Sequence, residues 1–374
     1  MSTTPPMVGL SCTTWGCRFH AAPAARWIAT TLLIALLLPA AGATDDGTGS
    51  PTVIRFGISN VGVGGVPFVG GHVIGSAHAK GLLEEEFRPD GIRIEWLFHK
   101  GAGPAVNEDL AAGKLDIAWQ GDLPALIGRS AGLRTRVLMA ANRHGATYLA
   151  VPTGSPAHSL KDLVGKRVVM FKGTASQLVI DRILAQQGLS ERDFRFITLE
   201  SSAAYTALTS GEVDGVWGTL ALFDLRDRGL IRFVFTTHDP PPSPNQPWAS
   251  SQTLVLATED FLDRHADLVQ RIITVLVKEA AWAADPAHQD ELYALWSKSG
   301  TSAAHYLEEY GAMPLSHRLS PLLDDEFISG LAGGMHQAVA LHLLRAEVDL
   351  QAWCDARFLE HAIAELKTPN PWLR

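Results

Sequence analysis

The sequence predicts an α/β protein of two similar lobes, each a mostly parallel sheet flanked by helices, with a helical C-terminal part. Three observations carry this. Residues 110–127, LAAGKLDIAWQGDLPALI, read as a helix end, a short buried strand and a turn that opens another helix. The same grammar returns 98 residues later as LTSGEVDGVWGTLALFDL, so that Leu110, Gly113, Asp116 and Trp119 fall on Leu208, Gly211, Asp214 and Trp217. Around both stretches, strand-like and helix-like segments alternate at the spacing of a parallel sheet covered on both faces. Residues 239–247, DPPPSPNQP, then interrupt the chain with five prolines in nine residues. Lacking backbone N–H groups, they make an extended connector. Two such lobes imply a ligand held between them.

The elements follow in order. Residues 53–58 predict a first strand that runs into Asn60-Val61-Gly62-Val63-Gly64-Gly65-Val66-Pro67. A dinucleotide fingerprint starting at Gly62 would need its third glycine where Pro67 stands, so this loop is instead a ligand-facing turn. A surface helix over 76–87, with weak glycine-rich first turns, precedes a strand over 92–98 and a helix over 107–112. Gly113 closes that helix, 115–119 is a strand, and Asp122 is a plausible N-cap for the helix that follows. Strands are expected over 136–140 and 148–151. Ser159-Leu-Lys-Asp162 has the form of a capping box, and Gly165 ends its short helix. A buried strand over 168–171 leads through Lys172-Gly173-Thr174-Ala175-Ser176 into a helix over 177–187, stopped by Gly188. A strand over 194–199, a helix over 203–210 and a strand over 213–217 repeat the rhythm. After the prolines, 251–257 is a strand. Helices over 260–282, 291–296, 303–310, 324–344 and 348–366 complete the chain, with Trp282, Trp296 and Trp353 as packing anchors.

Composition narrows the function. Of 374 residues, 47% are hydrophobic and 19% charged, which describes a folded chain. The net charge of −8, with no lysine-rich run, excludes a nucleic-acid surface. Residues 1–43 hold Arg18 and Arg26 but no acid, then a 12-residue apolar run and Ala41-Gly42-Ala43. That is the form of a cleavable secretory signal, too short to span a bilayer of roughly 30 Å. Cys12 and Cys17 would leave with it, so Cys354 alone would remain and no internal disulfide could form. The fourteen histidines show no local metal-ligand spacing, and neither a metal nor another cofactor is expected.

Read together, these residues resemble the type II solute-binding proteins of ABC importers, the group for aliphatic sulfonates, taurine and nitrate. The resemblance rests on Leu110, Gly113 and Asp116 ahead of a strand, Gly121-Asp122-x-Pro124 at its end, and Ser159-Leu-Lys-Asp-Leu-x-Gly165-Lys-x-Val168. Lys172-Gly173-Thr174 before a helix and Gly211 to Asp214 before a strand ending in Trp217 complete it. It implies the two-lobed periplasmic-binding fold. After a signal peptide over 1–43, the first lobe would span 44–143 and 245–374 and the second 144–237, joined by the proline-rich crossover 238–247. The resemblance implies a periplasmic protein, a monomer, that delivers a small organic anion to an ABC permease in the inner membrane. It implies no catalysis. An enzyme on the same scaffold, sulfinate-cleaving or thiamine-pyrimidine-forming, is the alternative, as is a binder of nitrate, bicarbonate or a pyrimidine. A cysteine nucleophile is disfavoured, because Cys354 lies far in sequence from every cleft loop.

The expected ligand contacts follow the strand ends. Gly173, Thr174, Ala175 and Ser176 stand at a helix start, where open N–H groups and the dipole favour an anion. Asn60, Val61 and Gly62 follow the first strand. Gln120 can donate to a polar head, Gly121 and Asp122 follow it, and Asp122 is the better cap than contact. Trp217 can cover an organic tail, with Thr219 beside it. Arg143, near the first crossover, is the nearest basic candidate to the cleft and is read instead as a solvated hinge residue. Three positions depart from the group's pattern: Gln177 where a histidine is frequent, Gly218-Thr219 where Asp-Pro is frequent, and a longer glycine-rich loop after the first strand.

Overall fold

Two five-stranded sheets built on one plan organise the computed structural model, which describes residues 51–241, 243, 248–366 and 370–372. The signal-peptide reading and most of the proline-rich connector lie outside these residues. The first sheet contains β1 (Val53–Ile58), β2 (Arg93–Phe98), β3 (Ile117–Gly121), β4 (Thr135–Gly145) and β10 (Ser251–Thr258), in the order β2-β1-β3-β10-β4. The second contains β5 (Tyr148–Pro152), β6 (Arg167–Val169), β7 (Arg195–Ile197), β8 (Gly215–Gly218) and β9 (Ile231–Thr236), in the order β7-β6-β8-β5-β9. In each, one strand beside a crossover (β10 or β5) is inserted against the common direction of the other four. The sheets are therefore mixed in their bonding while most strands point one way. Strand β9 was not foreseen, although its alternation of Ile231, Phe233 and Phe235 with Arg232 and Val234 carries the period of two.

Helices cover both sheets. Against one face of the first lie α1 (Val73–Lys80), α2 (Leu82–Phe87) and, further along, α9 (Ala266–Ala283) and α15 (Arg357–Ala364). Against the other lie α3 (Ala102–Ala111), α4 (Asp122–Ser130) and α13 (Asp325–Ala340). The second sheet carries α5 (Ala175–Gln186) on one face and α6 (Ser201–Thr209) with α7 (Phe223–Asp227) on the other. The C-terminal part adds α8 (Glu259–Arg264), α10 (Gln289–Trp296), α11 (Ala303–Tyr310), α12 (Leu315–Arg318) and α14 (Leu350–Trp353). In α9 the buried Leu268, Ile272, Leu276, Ala280 and Ala283 recur at helical spacing, so burial of one stripe holds it. Gly81 and its φ of 67° split the single helix expected over 76–87. Trp296 and Trp353 are fully buried, as their packing role requires, while Trp282 is half-exposed under the Lys80 ammonium.

The internal echo has a physical cause. Asp116, just ahead of β3, accepts from the Arg55 backbone N–H at 2.8 Å, its Nε at 3.0 Å and its Nη2 at 2.7 Å. Arg55 Nη1 reaches the carbonyl of Gly113 at 2.8 Å. Asp214, just ahead of β8, takes the same position against Arg167, at 2.8 Å from its N–H and 3.3 Å from its Nε, and Arg167 Nη2 lies 3.4 Å from the Gly211 carbonyl. Each glycine has positive φ, 67° and 77°, the left-handed turn that releases its carbonyl to the arginine. The repeated G-x-x-D thus pins one parallel strand to the next, at the end of the sheets away from the strand carboxyl ends.

The crossover region has its own anchor. Buried Glu309 of α11 accepts from Arg318 Nη2 at 2.6 Å and from the Tyr148 hydroxyl at the start of β5. Arg143, expected to be solvated, is instead buried, paired with Asp324 at 2.9 Å and Glu326 at 3.1 Å. A charge at the sheet edge under C-terminal helices is tolerated because it is paired.

Asp116 is buried and its partner half-covered, whereas the Asp214–Arg167 pair is more open. Asp116→Ala is expected to lower stability by about 2 kcal/mol and Asp214→Ala by under about 1 kcal/mol. Urea denaturation of both variants checks this; equal losses would show that the two pairs are not distinguished by burial.

Candidate functional site

At the carboxyl ends of the central strands, two helix starts stand in matching positions, α1 after β1 and α5 after β6. The α5 start is the more open to a ligand. Gly173 takes a φ of 76° and donates its N–H to Gln177 Oε1 at 2.7 Å. The Thr174 hydroxyl donates to the Phe171 carbonyl at 2.7 Å, so it is not an available donor. Gln177 N–H returns to the Thr174 carbonyl. What remains are the N–H groups of Ala175 and Ser176 and the half-buried Ser176 hydroxyl, which meet no protein partner among the described residues. Gln177, where a histidine is frequent in the resembling group, also donates to Glu191 at 2.9 Å, and Lys172 pairs with the same carboxylate at 2.6 Å. The lysine of the Lys-Gly motif is therefore committed away from the helix start.

On the first sheet, Gln120 is buried, with Nε2 donating to Asn107 Oδ1 at 3.2 Å. Asn107 is oriented by its own bond to the Pro124 carbonyl, which fixes the direction of the pair. The unpartnered atom of Gln120 is consequently its acceptor Oε1, and the expected donor is already used. Gly121 is needed for close approach: a Cβ there would stand 2.6 Å from Ala175 Cβ, so the two lobes touch at this point. Asp122 is not the N-cap; Gly121 is, and Asp122 is the first helical residue, accepting from Leu123 N–H at 2.7 Å. Burial pushes its carboxyl up to about 6, with Arg182 of α5 partly offsetting the effect. This places Asp122 in the contact between lobes.

The remaining expected residues scatter more widely. Asn60 is exposed and accepts from the Val61 N–H at 2.9 Å, which shapes the loop. Gly62 fits under Ser299 and Phe68, whose carbonyl oxygens would lie 2.5 and 2.6 Å from a Cβ. Trp217 is buried, edge-on to Phe235, with an indole N–H that has no partner. Thr219 is exposed beside it. At Gly218 a Cβ would stand 2.7 Å from Leu222 Cδ1 and 3.2 Å from the Tyr205 hydroxyl, so these side chains close around the glycine. The structure joins Gly121 to Ala175 directly; Asn60 and Thr219 stand on separate exposed loops.

One residue was not foreseen. His72 is buried at the start of α1, its ring flat on Trp119 with centroids 3.9 Å apart. Its Nδ1 accepts from the Gly75 N–H at 3.2 Å, which places the proton on Nε2. Burial pushes its pKa down to about 3, so the ring is neutral at neutral pH. Both His72 Nε2 and Trp119 Nε1 are buried without partners. The signal was available: a histidine directly after Gly70-Gly71, where a helix gains register, is in position to cap it. Among the described residues the strand ends thus carry several neutral N–H donors and no free cation at the α5 start. Such donors suit an anion with delocalised charge.

Cys354 is half-buried beside Val137 of β4, and burial pushes its thiol up to about 11. A protonated thiol on the outer strand of the sheet is not an activated nucleophile.

Known proteins share this fold. The family model described as NMT1/THI5 like matches residues 77–290. A protein of Bacillus subtilis (strain 168), named as an aliphatic sulfonates-binding protein, is 24% identical over 292 residues, covering 77% of this chain and 84% of its own. One of the same name from Escherichia coli (strain K12) is 29% identical over 171 residues, 45% of this chain and 50% of its own. Among solved structures, one named as the periplasmic sulfonate-binding protein SsuA from Methylobacillus flagellatus KT superposes with a TM-score of 0.68 at 28% identity, covering 85% of this chain and 97% of that one. The fold is also that of the desulfurization enzyme DszB, at a TM-score of 0.59 and 18% identity, over 83% of this chain and 99% of that one.

Folding raises the Asp122 carboxyl from 3.8 to about 6, so the folded state holds this proton more tightly. The associated stability is complete below about pH 4 and is lost as pH rises through about 6. Asp122→Asn, which keeps the Leu123 bond without the charge, is expected to gain in Tm over the unaltered protein as pH rises from 4 to 7. The difference is up to about 3 kcal/mol. A pH-independent difference would remove Asp122 from the titration.

Proposed function

The chain belongs to the NMT1/THI5-like family, and we propose that it is the substrate-binding component of an ABC importer, capturing a small organic anion of the sulfonate or taurine type between its lobes. The observation that carries this reading is the α5 start, where Ala175 and Ser176 offer unpartnered N–H groups at the positive end of a helix dipole. Supporting it are the names of the relatives, which are sulfonate-binding proteins. On this reading the protein is exported to the periplasm by residues 1–43 and hands its ligand to a permease in the inner membrane as a monomer. The lobes would be 44–143 with 245–374, and 144–237, closing by hinge motion at the crossovers.

Of the residues read from sequence, Ala175, Ser176 and Trp217 keep the strongest claim as ligand contacts. Asn60, Val61, Gly62 and Thr219 would border the opening, and Gln120 would offer an acceptor, which suits the ammonium of a taurine-like tail. Gly121, Asp122, Gly173 and Thr174 shape the contact without donating. The enzyme reading is weakened by the protonated, distant thiol of Cys354.

A thermal-shift panel of taurine, short alkanesulfonates, nitrate, bicarbonate and thiamine-pathway pyrimidines tests the proposal. A sulfonate at 100 times its Kd should stabilise by roughly 2.7 kcal/mol. Ser176→Ala is expected to weaken that ligand about five- to tenfold, as loss of one hydrogen bond would, while Thr174→Ala changes it less than about twofold. Stabilisation by neutral or cationic solutes alone would sink the anion reading. Turnover of a stabilising ligand would move the protein to the enzymes.

A further inference from the structure

We propose that His144, His317 and Glu326, none of them assigned to the organic ligand, form a binding site for a transition-metal dication of the zinc class. The three residues come from different parts of the chain: the next-to-last residue of β4, helix α12 and the first turn of α13. Their candidate ligand atoms all lie within 4.8 Å of one another. His144 Nε2 is 3.0 Å from Glu326 Oε1, and His317 Nε2 is 3.2 Å from Oε1 and 3.0 Å from Oε2. Ligand atoms around a tetrahedral zinc at its usual bond lengths lie about 3.3 Å apart. Two of the three spacings are therefore already those of a metal shell. The third needs only a rotation of half-exposed imidazoles.

The backbone contributes to this convergence. Successive residues of a regular strand point to opposite faces. His144 instead takes a φ of 56°, a left-handed conformation uncommon for a residue with a Cβ, and so presents its ring to the carboxylate that Arg143 also touches. Arg143 holds Glu326 at 3.1 Å and is itself balanced by Asp324 at 2.9 Å. With neutral imidazoles, the cluster keeps one net negative charge for an incoming cation. The two rings meet at 56° with centroids 4.9 Å apart, flanking the carboxylate instead of stacking on each other. Two imidazoles and a carboxylate suit zinc, with solvent at the fourth position because all three side chains are partly exposed. The site would tie the chain, where it leaves the first sheet, to α12 and α13.

The test uses the purified protein without a polyhistidine tag, dialysed against EDTA and titrated with ZnCl2 by calorimetry. One equivalent should bind, and Zn2+ should raise Tm reversibly with EDTA. His317→Ala and His144→Gln should each weaken binding by more than about tenfold, while His361→Ala, at an exposed histidine elsewhere, leaves it unchanged. His317 is half-exposed on a four-residue helix, so its variant is expected to fold; an unchanged circular dichroism spectrum establishes that. With Co2+ in place of Zn2+, the unaltered protein should show the visible absorption of a tetrahedral centre and His317→Ala should lose it. Absence of stoichiometric binding, or binding undiminished in both variants, would overturn the proposal.

Discussion

A carboxylate set just ahead of a central strand, gripping an arginine on the parallel strand beside it, fixes the register of both sheets. Register matters because a slip of one residue would turn every side chain of a strand to the other face. With Asp116 locked on Arg55, Ile117 and Trp119 face α1 and α9, while Ala118 and Gln120 face α3 and α4. With Asp214 on Arg167, Trp217 faces the α5 side. The carboxyl ends of the strands, and with them the helix starts, are set by contacts at the opposite end of the sheets. The lock is a scaffold for the site and takes no part in it.

The lobes meet through small groups. Gly121 and Ala175 approach more closely than larger residues allow, and Leu178 of α5 joins the core of the first sheet with Phe327, Leu331 and Met335. Around this contact lie buried polar groups that burial shifts in opposite senses: the Asp122 carboxyl is held toward its protonated form and the His72 ring toward its neutral one. The His72 ring is thereby neutral at neutral pH, while the Asp122 carboxyl, raised only to about 6, is still largely ionised there and is partly balanced by Arg182.

Much of the fold was legible because its determinants are local. The G-x-x-D echo, the capping box at Ser159 and the left-handed glycines at 113, 165 and 188 each depend on a few neighbouring residues. The site was less legible for the complementary reason. Whether Thr174 donates outward or to Phe171, and whether Gln120 offers its amide or its oxygen, is decided by partners that only the folded chain supplies. Asp122 has the side chain of a cap, but burial against α5 gave it another place. His144 and His317 escape any search for closely spaced ligands, since the turn at β4 and helix α12 bring them together across more than a hundred residues.

The shared plan of the two sheets also gives the molecule an approximate two-fold repeat, and a ligand lying across it would meet a helix start from either side. Those starts are not equivalent. One is closed by an aromatic pair, His72 on Trp119; the other is open at Ala175 and Ser176. A perfectly symmetric frame would bind either end of a rod-shaped molecule equally well. Here the symmetry is broken: one helix start is covered by a buried ring stack, while the other has no side-chain cap, so the two ends of the repeat are chemically distinct.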